Sequence, residues 1–241
     1  MLKNIKRIMI TNDDGVKADG IIRLAKAVKS YGEVWVVAPD VQKSGASHSI
    51  NLHTPISVSE VEFPVEGVKA FAVSGSPADC VRIGVLNLLP KKPDLVFSGI
   101  NFGYNAGTDV MYSGTIGAAM EAVFQGIPSI ALSEGTNEGY IITDLWLDKI
   151  LSEVIGMRHG TDNIVNINFP TCKPEELKGI LRNRFVSKSC IYKDTYICNT
   201  LPDGTKTYMI NGEYQENAED GSDLKALFDK YISIGTVNNI G

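Results

Sequence analysis

The chain has 241 residues, 44% hydrophobic and 21% charged, with a net charge of −5 at pH 7 and an isoelectric point near 5.3. That length suits one large domain, or a main domain with an appendage, and buries roughly 70% of its unfolded surface without staples. No block of lysine or arginine stands out, so the footprint of a nucleic-acid-polymer binder is missing, and no stretch approaches a membrane span.

The first residues, Met1 to Arg7, run straight into an apolar segment and leave no room for a signal-peptide core. Arg7–Thr11 then reads as a short strand of a buried parallel sheet. From Gly20 to Lys29, the positions Ile21, Leu24, Ala25 and Val28 share one helical face. Glu33–Ala38 is a second strand, closed by Pro39-Asp40, which completes a βαβ unit. Pro55–Val61 and Val68–Val73 read as a β-hairpin. Ser76 is an N-cap with Pro77 at the first helical position, and that helix should run to about Leu89. Asp94–Ser98 is the third core strand. A Gly- and Asn-rich loop leads to a helix that starts near Ser113 and stops at Gly126. Pro128–Ser133, a long helix over Ile141–Met157, and a strand over Asn163–Phe169 complete the alternation.

Composition shifts after about residue 175. Leu181–Val186 and Ile191–Asn199 read as strands, and Pro202-Asp203-Gly204 is a hairpin turn into Lys206–Ile210. Ser222 caps a short helix to Lys230, and Tyr231–Val237 is a last strand. The pattern predicts an α/β fold, a doubly wound and mainly parallel sheet over 1–175, with a C-terminal antiparallel β extension over 176–241. Such an arm packs on its own core or on a second subunit. The four cysteines (Cys80, Cys172, Cys190, Cys198) lack C-x-x-C spacing and read as free thiols, so a cytoplasmic location is expected.

Three unusually polar loops follow three core strands. In a parallel sheet they emerge at one edge, where residues far apart in sequence meet. The first is Asn12-Asp13-Asp14-Gly15. Alone, Asp-Asp-Gly is good turn chemistry. Two adjacent carboxylates also repel, and a divalent cation is the simplest offset. The second loop runs from Asp40 to Ser49 and carries Ser44-Gly45. The third runs from Ser98 to Thr115 and carries Asn101 and Asn105. Carboxylate, amide and hydroxyl oxygens suit Mg²⁺, Mn²⁺ or Ca²⁺ rather than zinc. Ser113-Gly114-Thr115 at a helix N-terminus offers free N–H groups and a partial positive charge to a phosphate. The spacing matches neither a Walker A loop nor a dinucleotide fingerprint. His48 and His53 read as loop or packing residues, Cys80 as buried packing, and Met111 and Tyr112 as wall or core.

Read together, Ile10-Thr11-Asn12-Asp13-Asp14-Gly15, Ala38-Pro39-Asp40 with Ser44-Gly45-x-Ser47, and Ser74-Gly75-Ser76-Pro77-x-Asp79-Cys80 resemble the survival protein SurE family. Ser98-Gly99-Ile100-Asn101-x-Gly103-x-Asn105, Tyr112-Ser113-Gly114-Thr115 and Gly126-Ile127-Pro128-Ser129 continue the likeness, which spans residues 7 to 170. The resemblance implies a divalent-metal-dependent phosphatase acting on nucleoside monophosphates, in a family that takes 5′ and often 3′ esters and of which some members also trim short polyphosphate. It implies one divalent ion per subunit, Mg²⁺ or Mn²⁺, on Asp13, Asp14, Ser44 and Asn101. It implies phosphate binding by Asn105, Ser113, Gly114 and Thr115, with Asp13, Asp14, Asn105 and Ser113 as the catalytic set. A Rossmann-like core and a tail exchanged within a homodimer or homotetramer complete what it implies, with no nucleic-acid polymer or membrane as partner. The alternative is a non-catalytic metal or nucleotide sensor using the same pocket.

Overall fold

The computed structural model describes residues 5–136, 140–157 and 160–238; Met1 to Asn4 of the N-terminal reading lie outside them. Its strands are β1 (Arg7–Thr11), β2 (Glu33–Pro39), β3 (Val58–Val61), β4 (Lys69–Val73), β5 (Leu95–Phe102), β6 (Ser129–Glu134) and β7 (Asn163–Phe169). The later strands are β8 (Gly179–Arg184), β9 (Tyr192–Thr200), β10 (Lys206–Tyr214) and β11 (Tyr231–Asn238). The helices are α1 (Asp19–Val28), α2 (Pro77–Ile83), α3 (Gly114–Phe124), α4 (Tyr140–Gly156) and α5 (Asp223–Phe228).

Nine strands form one sheet in the order β3-β4-β2-β1-β5-β6-β7-β11-β8, and β4, β2, β1, β5, β6 and β7 run parallel. Alternation along β1 explains why helices must cover both faces. Ile8 and Ile10 pack with Ile21 and Leu24 of α1 and Ile150 and Leu151 of α4. Met9, between them, points the other way, to Cys80 and Val81 of α2 and Ala118 and Ala122 of α3. Cys80 is therefore buried packing, as expected, and all four cysteines are free.

Two elements differ from the sequence reading. The helix opened by Ser76, with its capping box to Asp79, ends as an α-helix at Ile83 and continues over Gly84–Leu88 as a π-turn closed by Leu89 N–H on the Gly84 carbonyl. Gly84 sits so close to the Met9 side chain that a Cβ there would lie 2.5 Å from Met9 Cε. The tail differs too. β11 joins the core sheet antiparallel to β7, but β8 then pairs parallel with β11. The helix between them allows this, because a strand can return in the same direction only through a crossover. Only β9 and β10 form the expected antiparallel hairpin, as a separate sheet.

Candidate metal and phosphate site

The ends of β1, β2 and β5 place the three polar loops side by side. Asn12 is wholly buried and closes the first turn on itself, exchanging bonds with the Gly15 carbonyl (3.0 Å) and N–H (3.1 Å). That turn, with Gly15 at φ 103°, presents Asp13 and Asp14 in sequence. Asp13 is 4% exposed. Its Oδ1 accepts from the Thr115 hydroxyl at 2.7 Å, and its carbonyl accepts the Lys43 N–H at 2.7 Å, which ties the second loop down. Asp14 is half-buried and accepts the Phe102 N–H at 3.1 Å.

One amide connects the loops. Gln42 Nε2 donates to Asp14 Oδ1 at 3.3 Å and to Ser44 Oγ at 3.0 Å, so these two oxygens face one point. The pairing of β5 with β6 shifts register between Ser98 and Asn101, the local device by which a strand re-aims a side chain at its end. The Asn101 amide nitrogen donates to the Gly103 carbonyl at 2.8 Å, which leaves its side-chain oxygen as an acceptor outside that bond.

The electrostatics calls for a cation. Burial pushes the Asp13 carboxyl above its usual value against the Thr115 hydrogen bond, and the Asp14 charge pushes it further. Burial also raises Asp14, against the Phe102 N–H and the Gln42 amide, and the nearby Glu134 charge adds to it. Among the described residues no lysine, arginine or histidine forms an ion pair with either carboxylate. Glu134 is neutralised by the Arg23 guanidinium, which donates to it at 2.7 and 3.0 Å. Hard oxygen donors, excess negative charge and no counter-ion fit a divalent cation of the Mg²⁺ or Mn²⁺ type.

Helix α3 starts against this pair. Ser113 is its N-cap, its Oγ accepting the Ile116 N–H at 3.1 Å, which leaves the hydroxyl proton available to an anion. A Cβ on Gly114 would lie 2.9 Å from Asp13 Cβ and 3.0 Å from Asp13 Oδ2, so only glycine lets the helix end approach the carboxylate. The Thr115 hydroxyl is committed to Asp13, and the Thr115 backbone N–H also donates toward that carboxyl, so Thr115 serves Asp13 rather than an incoming anion. Asn105 is buried, with its main chain held by Asn166 and Asn168 and its amide donating to Ser133 at 2.8 Å.

Sequence reasoning missed Gln42 and the clamp beneath it. Glu121 on α3 is 2% exposed and accepts from His48 Nε2 (2.9 Å), Gln125 Nε2 (2.8 Å) and Arg82 Nη1 (3.3 Å). His48 also stacks on Phe124 with centroids 5.1 Å apart. Burial alone would raise the Glu121 carboxyl, but the donors, His48 first, outweigh it and hold it below its usual value. Gly117 completes the contact, since a Cβ there would lie 2.3 Å from the Ser47 carbonyl. The Ser44 loop is thus fastened to helix α3. Met111 and Tyr112, expected as wall or core, are 74% and 66% exposed; Tyr112 acts through its carbonyl, which accepts the Ser47 N–H.

A cavity of about 820 Å³ lies elsewhere, between the loop around Val110 and the edges of β8 and β11, and none of the expected site residues lines it. No helix of the described residues is long and apolar enough to cross a membrane.

Comparison with known proteins agrees with this fold. The family pattern described as Survival protein SurE matches residues 8–190. The 5′-nucleotidase SurE of Alkaliphilus metalliredigens is 41% identical over 237 residues, covering 96% of this chain and 92% of that protein. That of Carboxydothermus hydrogenoformans is 41% identical over 240 residues, covering 96% and 90%. The crystal structure of the SurE protein from Aquifex aeolicus superposes with a TM-score of 0.81 at 36% identity, covering 97% of this chain and 94% of that one.

Proposed function

The chain belongs to the survival protein SurE family, and from that premise we propose that it is a 5′-nucleotidase, a phosphomonoesterase that hydrolyses nucleoside monophosphates to nucleoside and phosphate. The observation that carries this reading is the convergence of Asp14 and Ser44 on one point beside buried, cation-free Asp13, hard against the N-terminus of α3. Asp13, Asp14, Ser44 and Asn101 would hold a divalent ion, which when bound would supply charge neutralisation at a phosphate oxygen and activation of water.

The chain's own residues do the rest. The Ser113 hydroxyl and the Gly114 N–H hold the other phosphate oxygens, and the Asn105 amide, fixed by Ser133, adds a donor, while Thr115, expected among the phosphate binders, acts through Asp13. Thr115 keeps Asp13 oriented by its 2.7 Å bond, and the Glu121–His48 clamp keeps Ser44 over the same spot. Residues 1–175 serve as the catalytic core and 176–241 as the extension. Its hairpin, exposed along both strands and bearing Tyr196, Ile197, Tyr208, Met209 and Ile210 on its surface, is an arm for a second copy of the chain in a homodimer or homotetramer. Four free cysteines favour a reducing cytoplasm.

The test is phosphate release from 5′- and 3′-AMP and GMP with Mg²⁺ or Mn²⁺, with and without EDTA. Turnover that EDTA abolishes and added metal restores is expected. If no substrate turns over with any metal while nucleotide binding persists, a sensor replaces the enzyme. Reaction in ¹⁸O-water followed by mass analysis of the protein tests the route: label in an aspartate carboxylate overturns direct attack by water, because it requires an aspartyl-phosphate opened at its acyl carbon.

A further inference from the structure

A cavity of about 490 Å³ opens over the carboxyl ends of β5, β6 and β7, and nothing in the phosphate chemistry uses it. Gly103 and Tyr104 line it, and in the chain they lie between Asn101 and Asn105. The sheet order β1-β5-β6 puts its centre about two strand spacings, ~10 Å, along the same edge from the carboxylates. A phosphate, its ribose and a base together span such a step.

The walls are aromatic and fixed. The Tyr104 hydroxyl donates to Thr171 Oγ1 at 3.1 Å and accepts the Thr171 N–H at 2.6 Å, so its ring cannot swing away. Opposite it, Tyr192, Tyr214 and Phe228 form an edge-to-face series with centroids 5.8 and 6.1 Å apart. Asp109 adds a carboxylate at the rim, partly buried and without an ion-pair partner among the described residues. The Glu216 carboxylate also lines the cavity, as does Lys230, whose ammonium is paired with Glu176. Flat aromatic faces with carboxylate acceptors suit a flat heterocycle that carries N–H groups at its edge, and the volume lies in the usual range for small-molecule sites, about 300–1,000 Å³.

We propose that this cavity receives the nucleobase of the substrate, which rests on the nucleotidase reading, and that Tyr214 from the C-terminal extension is a stacking face. The larger cavity beside β8 is no rival, because none of its lining residues lies between Asn101 and Asn105. A base held this way makes the tail part of substrate selection as well as a structural arm.

The experiment compares Tyr214→Ala and Tyr214→Phe with the parent full-length protein. The ratio of kcat/KM for AMP to that for ribose 5-phosphate, which has no base, is expected to fall about tenfold in the Ala variant through KM, the loss typical of removing one stacking ring. It should stay near the parent value in the Phe variant, which keeps the ring. Equilibrium dialysis of adenosine, which needs no turnover, should show the same loss. A ratio or an adenosine affinity equal to the parent's in Tyr214→Ala overturns the proposal, as does an equal loss on both substrates. If neither ester is hydrolysed by the parent, the nucleotidase reading fails, and dialysis still decides the cavity.

Discussion

At the carboxyl edge of the sheet, Asp13 is nearly sealed from solvent, and Thr115, Lys43, Gly114 and Gln42 from other segments are fitted around it and its neighbour Asp14. In the β9–β10 hairpin, every residue of both strands is exposed, and aromatic and aliphatic side chains face outward. The two regions invert the usual placement, with charge inside and apolar groups outside. Each imbalance points to something the single chain lacks. Buried carboxylates without a counter-ion call for a cation, and a two-stranded hairpin without a core calls for a second surface. A residue's departure from its ordinary environment is thus a more specific signal than its type.

That contrast is open to attack. The largest effect is expected from Asp13→Asn. Loss of a supporting hydrogen bond to a ligand costs about 10–100-fold, so loss of the ligand's charge should lower turnover of AMP by more than about 100-fold. Circular dichroism should report an intact fold, since removing a strained buried charge does not cost stability; activity near the parent value would remove Asp13 from the metal site. Thr115→Val should come next. It keeps the shape but deletes the 2.7 Å donor to Asp13, and calorimetric titration with Mn²⁺ should show metal affinity lower by about 10–100-fold.

Glu121→Gln tests the clamp. Weakening a buried, charge-assisted set of hydrogen bonds should cost about 1–3 kcal/mol in denaturant unfolding. The pH dependence has a definite sign. The folded Glu121 carboxyl lies below its unfolded value, so the stability it contributes is present above the unfolded value, about 4.3 for glutamate, and is lost as pH falls through the folded one. The gap between parent and variant should therefore narrow on acidification; a gap that widens toward acid contradicts the clamp. The smallest effect on the fold should come from Ile197→Lys with Met209→Glu. These residues are cross-strand partners, and the new pair preserves the hairpin while replacing the apolar pair on one of its faces by charges. Sedimentation velocity should show a smaller assembly, with stability of the single chain changed by no more than about 0.5 kcal/mol. An unaltered assembly would leave the hairpin without a partner role.

Much of the site was legible because its parts are local. Asn12-Asp13-Asp14-Gly15 is a turn whose chemistry lies in four consecutive residues, and Ser113 announces a helix start by its side chain alone. The doubly wound core was legible because β1 and α1 carry their periodicities openly. What stayed hidden involves pairs distant in sequence. Glu121 and His48 are 73 positions apart, and neither segment has a pattern that points to the other. Gln42 looked like any polar loop residue until two loops met at its amide. The parallel pairing of β8 with β11 was hidden for a related reason, since a strand's own sequence does not state the direction of its neighbour.

Three contacts along one face fix the length of helix α3. Gly114 meets Asp13, Gly117 meets the Ser47 carbonyl, and Glu121 meets His48, at spacings of three and four that lie on one face of a helix. One inserted residue between Gly114 and Glu121 would rotate everything downstream by about 100° and separate all the later contacts at once. The β9–β10 hairpin has no such limit, because adding residues in pairs preserves which face each side chain occupies. Over evolutionary time α3 should hold its length to the residue, while the hairpin is free to grow and shrink in steps of two.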